Sequence, residues 1–368
     1  MISLRFICGA ALAVVGISAS QTPAEEAEHF RVQQINDHVT AYVGLDPTID
    51  LVDGNSYAIF SDDGIFVVDA HHLPVIARAN IDHLRTLSNQ PVEYLLITHW
   101  HGDHNTGSSA YVEAFPGVRI VAHTKTREIL ARRQPEWVKS FNEGEWDDYI
   151  TSFDTLIAQK KSMYGDDMSP FEVSRYLRVM EMLRRYAPDS KDAMVTLPDV
   201  TFDREMTLHM GGREIRIINS GNANTPGDAW VWLPQDSILI TGDVLVSPIP
   251  YCFGGFLDEW VKTLDVMLSL KPKWILPGHG EPMRDTTYLR QVRDCLADMD
   301  AQAKRGFDAG IRSADSLKMS LTLDDHRRAM CGDDPDCNYV FDYFMVEPAM
   351  KRLLKVLNKE IGDVDPGN

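Results

Sequence analysis

The chain has 368 residues, of which 44% are hydrophobic, 24% charged and 9% aromatic. These proportions are those of an ordinary globular protein, and they exclude a disordered, collagen-like or multi-span membrane protein. The 36 basic and 54 acidic side chains give a formal net charge of −18. A surface this acidic repels polyanions, which argues against nucleic acid as a partner and favours a small-molecule substrate.

The first 20 residues predict an export signal. Arg5 supplies one positive charge, Phe6–Ile17 is an apolar run, and Ser18–Ser20 are small residues of the kind that precede a cleavage site. An apolar run of about 12 residues is too short to cross a bilayer, which takes about 20, so we expect no stable membrane insertion. The sequence therefore predicts a periplasmic or secreted protein, with a buried helix or a short uncleaved anchor as alternatives.

Strand and helix patterns alternate along most of the chain. Short apolar stretches separated by Gly and Asp predict successive strands over residues 39–70, and a helix is predicted around Pro74–Leu87. Val92–Thr98 is predicted to be a buried strand that runs into a histidine-rich loop. The alternation continues over residues 108–122 and returns after residue 200, which indicates an α/β fold.

Residues 124–198 differ from this pattern. They are rich in Glu, Lys, Met, Leu and Arg, and Val173–Arg185 has helical spacing, so a helical insertion of two or three helices is predicted. Its large apolar side chains either form a lid over a site or pack the insertion onto the body; they are Trp137, Phe141, Trp146, Tyr149, Met163 and Tyr164. A helical extension is predicted from residue 285 to the end, with apolar positions in 346–357 that could pack on the body or form a homodimer surface.

Four cysteines follow the predicted signal: Cys252, Cys295, Cys331 and Cys337. In an oxidising compartment Cys331 and Cys337 could close a small loop, but two free thiols fit equally well because pairing cannot be deduced from sequence.

Three imidazoles and a carboxylate stand together in the segment Thr98–His104, directly after the predicted strand. Imidazole nitrogen and carboxylate oxygen are ligands that suit Zn²⁺ and Fe²⁺. In an extended turn His99 and His101 face one side, and Asp103 with His104 can face a second point. The segment therefore predicts a metal site; a surface loop that merely contains several histidines is the alternative.

This His-x-His-x-Asp-His motif resembles the signature of the metallo-β-lactamase superfamily. Further segments resemble that family in the same order along the chain: Val67-Val68-Asp69, Gly227-Asp228, Thr241-Gly242-Asp243 and Pro277-Gly278-His279. The resemblance implies an α/β fold of αββα type, a four-layer sandwich of two mixed sheets. The expected organisation is a signal peptide at 1–20, the two halves of the family domain at 30–123 and 199–284, the insertion at 124–198 and the extension at 285–368.

The resemblance also implies the ligands. His99 and His101 correspond to a first metal position, Asp103, His104 and His279 to a second, and Asp243 to a carboxylate that both share. Where the family usually has a third histidine for the first position, this chain has Asn224. Because a carboxamide oxygen is a weaker zinc ligand than imidazole, we expect one or two Zn²⁺ ions with the second position the tighter; iron or manganese is an alternative. His71, His72 or His123 could instead replace the missing imidazole.

The implied chemistry is hydrolysis by a metal-activated water. Asp103 is expected to orient that water and relay a proton, and Tyr251 could donate a hydrogen bond to a developing oxyanion. A β-lactam-like amide is the first substrate class to consider, and a lactone, other ester or thioester is the alternative. A metal-binding module without catalysis is the alternative of another class.

Overall fold

The computed structural model describes residues 25–26, 29–45, 53–161 and 167–361. The predicted export signal, Met163 and Tyr164 lie outside the described residues. None of the helices in the described part combines the length and apolar character that a membrane crossing requires.

Two mixed sheets form the centre of the described structure. The first has eight strands in the order β1 to β8, antiparallel from β1 to β5 and parallel from β5 to β8. Its strands are Glu25–Glu26, Phe30–Asn36, Val39–Gly44, Ser56–Ser61, Gly64–Val68, Val92–Ile97, Arg119–His123 and Val200–Phe202. The second sheet has the order β13-β12-β11-β10-β9, antiparallel except where β12 meets β13. Its strands are β9 to β13, at Glu205–Met210, Arg213–Ile218, Trp230–Leu233, Ile238–Val246 and Trp274–His279.

Helices cover the outer face of each sheet. In chain order α1 to α12 span Pro74–Leu87, Gly102–Asn105, Ser108–Ala114, Thr124–Glu143, Glu145–Gln159, Pro170–Tyr186, Leu257–Ser269, Thr287–Asp308, Ala314–Ser320, Asp324–Cys331, Pro335–Val340 and Glu347–Leu357. A 3₁₀ segment, Ala187–Asp192, follows α6, and a π-helical segment, Phe341–Val346, lies between α11 and α12.

Alternation of side chains along the strands produces the layers. On β5, Phe66 and Val68 are buried against the second sheet, whereas Ile65 and Val67 are buried against the helices of the first. Because successive side chains point to opposite faces, a strand covered on both sides is apolar throughout. The nine residues of β12 are all buried in this way. The predicted αββα sandwich is therefore confirmed.

The insertion packs on the first sheet's outer helices. Partly buried Trp137 and Trp146 lie against the core that α1 and β6 share, and the Trp137 ring stacks on Trp100 with centroids 5.6 Å apart. Phe141 and Trp146 contact each other and His72, with ring centroids 5.5 to 5.8 Å apart. Of the two roles considered for the insertion's large apolar side chains, these contacts of Trp137, Phe141 and Trp146 support packing onto the body.

The C-terminal helices cover the second sheet. Their apolar side chains share one buried cluster with α7 and with the outward-facing residues of β11 to β13. A disulfide joins Cys331 and Cys337, which answers the pairing that the sequence left open, while Cys252 and Cys295 are buried free thiols.

Candidate metal centre

Strand ends bring the predicted ligands to one edge of the sandwich. His99 and His101 follow β6, Asp243 lies within β12, and His279 ends β13. The pairing of β12 with β13 is irregular around Gly242, where the backbone has φ +50° and a Cβ would lie 2.7 Å from the Thr98 side chain. A residue without a side chain is therefore required beside Asp243, because both the conformation and the close approach exclude a Cβ.

His99, His101 and Asp243 form a first group whose ligand atoms all lie within 4.8 Å of one another. His99 Nε2 lies 2.9 Å from His101 Nδ1 and 3.6 Å from Asp243 Oδ2.

Asp103, His104 and His279 form a second group that meets the same 4.8 Å limit. Asp103 Oδ2 lies 3.0 Å from His279 Nε2 and 3.3 Å from His104 Nε2. Asp243 Oδ1 lies 3.2 Å from His104 Nε2 and 3.6 Å from His279 Nε2. Asp243 thus offers one oxygen to each group, which suits a carboxylate shared by two cations.

The arrangement of the donor atoms suits binding of metal ions better than hydrogen bonding between the donor atoms themselves. Ring nitrogens face ring nitrogens in both groups, at 2.9 Å for His99 with His101 and at 3.2 Å for His104 with His279. Asn224 is fully buried, and neither polar atom of its side chain makes a hydrogen bond. Buried polar groups are normally paired, so an unpartnered carboxamide is consistent with a ligand position. Imidazole and carboxylate donors in this number suit Zn²⁺.

Asp69 supports the cluster through hydrogen bonds to Thr98 and His104. Its Oδ1 accepts a hydrogen bond from Thr98 N, and its Oδ2 accepts bonds from Thr98 Oγ1 and His104 Nδ1, each at 2.8 Å. A carboxylate behind a ligating histidine fixes the tautomer and the direction of the ring.

Burial and neighbouring charges set the protonation of the imidazoles. Burial lowers the pKa of His99 well below its usual value and lowers the pKa of His101. Burial also opposes the charged form of His104 and His279, but the carboxylates of Asp103 and Asp243 outweigh it and raise the pKa of both rings. The imidazoles of the first group are therefore neutral, which is the form that binds metal. In the second group the carboxylates favour the charged form of the imidazoles and balance its charge.

The three alternative imidazoles have other partners. His71 Nδ1 lies 2.9 Å from Asp53 Oδ2, and its Nε2 is 3.1 Å from Asn80 Nδ2. His123 Nε2 donates to Asp203 O at 2.7 Å. His72 packs against the aromatic rings of the insertion. In the described structure no metal-ligating group includes any of them.

A pocket of about 280 Å³ opens above the two groups; its lining residues are Trp100, His101, Gly102, Asp103, Asp243, Tyr251, Phe253 and Phe344. Tyr251, which we had singled out, lies in this wall with its ring 5.3 Å from that of His279. Phe344 was not predicted, because it belongs to the C-terminal helices and no local motif marks it.

Sequence reasoning also missed Gly54. Its Cα hydrogen faces the His104 ring, since a Cβ at this position would lie 2.4 Å from His104 Cε1. Only this close approach in the folded protein identifies the residue.

Comparison with known proteins agrees with this geometry. A family model described as the metallo-β-lactamase superfamily matches residues 49–279. A linear primary-alkylsulfatase from a Pseudomonas species is 22% identical over 283 residues, which cover 73% of this chain and 50% of that protein. The chain spans about half the length of the curated relatives it matches.

Solved structures show the same fold. A metallo-β-lactamase from Pontibacter korlensis superposes with a TM-score of 0.52 at 18% identity, covering 73% of this chain and all of that one. An inverting sec-alkylsulfatase from a Pseudomonas species superposes with a TM-score of 0.57 at 16% identity, covering 92% of this chain and 52% of that one.

Proposed function

Because the chain belongs to the metallo-β-lactamase superfamily, we propose that it is a metal-dependent hydrolase that cleaves an amide, lactone or ester bond in a small molecule. The observation that carries this proposal is the pair of ligand groups joined by Asp243 at the floor of an open pocket. Zn²⁺ is the metal we propose first, with iron or manganese as alternatives.

His99, His101, Asn224 and Asp243 would hold one ion, and Asp103, His104, His279 and Asp243 the other. When bound, zinc lowers the pKa of a coordinated water to about 7 and polarises the bond to be cleaved. Asp103 is the acid best placed to move a proton, because its side chain is 17% exposed and lines the pocket, whereas that of Asp243 is 1% exposed. Tyr251, which lines the same pocket, would donate a hydrogen bond to negative charge that develops on the substrate.

A β-lactam-like amide is the first substrate class, and a lactone, ester or thioester is the second. A sulfate ester is a further candidate, because the similarity to the sec-alkylsulfatase structure extends over 92% of this chain and so includes most of the C-terminal helices. The aromatic lining of the pocket also favours a substrate with an apolar group.

The test is turnover with and without a chelator. The zinc-loaded protein is assayed against a chromogenic cephalosporin, a lactone panel, p-nitrophenyl esters and an alkyl sulfate. We expect at least one class to be hydrolysed, the activity to disappear with chelator and to return with zinc, and Asp103→Asn to lower kcat even when zinc is supplied in excess. Full zinc occupancy without chelator-sensitive hydrolysis of any class would favour the alternative of a metal-binding module.

We also propose that the protein is exported, as its first 20 residues predict. The Cys331–Cys337 disulfide supports this, because disulfides persist in oxidising compartments. In the mature chain isolated from its natural compartment, denaturation should expose two free thiols, and the intact mass should lack the signal. A homodimer through the C-terminal helices stays a prediction, for which sedimentation is the measurement.

A further inference from the structure

The loop that follows Asp243 is held to the C-terminal helices beside the pocket. Cys252 N donates a hydrogen bond to Phe344 O at 2.8 Å. Pro348 stands four residues after Phe344 and has no N–H, so it cannot supply the α-helical bond to that carbonyl. The carbonyl of Phe344 can therefore accept a bond from outside the helix, and the π-helical segment presents it to the loop.

Three aromatic rings, which we call the aromatic wall, line one side of the pocket: Tyr251, Phe253 and Phe344. The Phe344 ring centroid lies 5.8 Å from that of Tyr251 and 5.4 Å from that of Phe253, the latter in an edge-to-face contact. Tyr251 lies against His279, and Phe253 is 38% exposed. The wall thus runs from a proposed metal ligand to the protein surface.

The position of Phe344 is fixed by its neighbours. Phe341, Met345 and Val346 are buried in the cluster that the C-terminal helices share with the second sheet. With these side chains anchored, the intervening Phe344 faces the pocket and Tyr343 is 46% exposed.

The floor and the sides of the pocket differ in chemistry, so they suit different parts of a substrate. The acids Asp103 and Asp243 lie at the floor, whereas Trp100 and the aromatic wall form the sides, and none of the described lining residues is Lys or Arg. An anionic substituent would find no Lys or Arg among these lining residues. An apolar substituent would be desolvated against aromatic rings, which is favourable.

We infer that Phe344 is a specificity-determining residue through which the C-terminal extension selects substrates carrying an uncharged apolar substituent next to the bond that is cleaved. The inference rests on the proposed function. A cavity of roughly 150 Å³ holds benzene, so the pocket of about 280 Å³ has room for a phenyl group or a short alkyl chain.

The experiment measures binding, so that it does not depend on turnover. Hydroxamates anchor on zinc, and a series from acetohydroxamate to octanohydroxamate is titrated calorimetrically into the zinc-loaded full chain. In the wild type we expect affinity to rise about two- to fourfold for each added methylene until the pocket is filled. Phe344→Ala should remove most of that rise while leaving acetohydroxamate affinity within about twofold, and Phe344→Leu should retain more than half of it.

Tyr343→Ala is the matched control, because it removes an adjacent ring that does not line the pocket, and it should preserve the full chain-length dependence. Phe344→Leu keeps the test decisive if Phe344→Ala does not fold. A wild-type affinity that does not depend on chain length, or the same dependence in Phe344→Ala, would overturn the inference. Absence of chelator-sensitive hydrolysis would instead overturn the proposed function and leave a Phe344-dependent binding preference in place.

Discussion

His104 Nδ1 lies 2.8 Å from Asp69 Oδ2, while His104 Nε2 faces Asp103, Asp243 and His279 at 3.2 to 3.3 Å. Because a carboxylate only accepts hydrogen bonds, this contact keeps a proton on Nδ1, so that Nε2 is the nitrogen that would give up its proton and bind a metal. The orientation of a proposed ligand thus depends on a residue that belongs to neither ligand group.

Asp69→Asn tests this dependence. The amide can turn its NH₂ group toward His104 Nδ1, which favours the opposite tautomer and places a proton on the nitrogen needed for ligation. We expect zinc affinity to fall about 10- to 100-fold, measured by competition with a chromophoric chelator. Asp62→Asn changes an exposed acid and should leave the affinity unaltered; equal affinities in the two variants would contradict the bracing role of Asp69.

Gly54→Ala tests the contact behind the same ring. The added Cβ would lie 2.4 Å from His104 Cε1, and the backbone cannot easily yield because Gly54 N donates to Asp103 O at 3.1 Å and Gly54 O lies 3.0 Å from His71 Nδ1. We expect a loss of about 1–3 kcal/mol in the free energy of unfolding, from urea titration, together with weaker zinc binding.

Gly117→Ala is the matched control for this substitution, since nothing lies within 4 Å of a Cβ at that position. If the two alanine variants have the same stability and the same zinc affinity, the close approach of Gly54 to His104 has no energetic consequence.

His123 predicts a pH dependence of stability that is separate from the metal ligands. Burial lowers the pKa of this imidazole, its Nε2 donates to Asp203 O, and its Nδ1 accepts from Lys125 N at 3.1 Å. Since the unfolded chain binds the proton more tightly, this contribution to stability is present above the unfolded pKa of about 6.5 and is lost as the pH falls below it.

His123→Asn removes the titration and keeps a side-chain acceptor at the start of α4, where Asn is a favourable N-cap. The free energy of unfolding is measured by urea titration with chelator present from pH 7.5 to 5.5. We expect the wild type to lose stability relative to the variant as the pH falls, with a slope of at most about 1.4 kcal/mol per pH unit. His38→Asn, at an exposed position, gives the background. A difference that is constant over the range would show that His123 does not titrate with folding.

Much of the fold followed from local patterns. The alternation of strands and helices and the helices at 124–198 could be predicted from local patterns, whereas the αββα class was implied by the resemblance that the motifs at the strand ends carry. The segment Thr98–His104 could be singled out because its residues are contiguous in sequence, and the structure brings it together with Asp243 and His279.

Contacts between distant elements could not be predicted. Phe344 lines the pocket beside a loop about 90 residues earlier in the chain, where Cys252 N donates to its carbonyl, and no local pattern indicates this pairing. Gly54 matters because its missing side chain leaves room for the His104 ring. No sequence motif indicates this requirement. The aromatic side chains of the insertion could be assigned to packing only once their contacts were known, because pocket walls and cores use the same residue types.

Asn224→His tests the expected inequality between the two metal positions. We expect the first position of the wild type to have two imidazoles, Asp243 and a carboxamide, so that about one zinc per chain survives dialysis against a moderate chelator. The substitution supplies a neutral imidazole in place of a weaker oxygen donor, and retained zinc, measured by elemental mass spectrometry, should approach two per chain. Asn224→Ala, which deletes the donor, should stay at one. If the wild type already retains two ions, the carboxamide is an adequate ligand and the second position is not the tighter one; if Asn224→His retains only one, Asn224 does not face the first position.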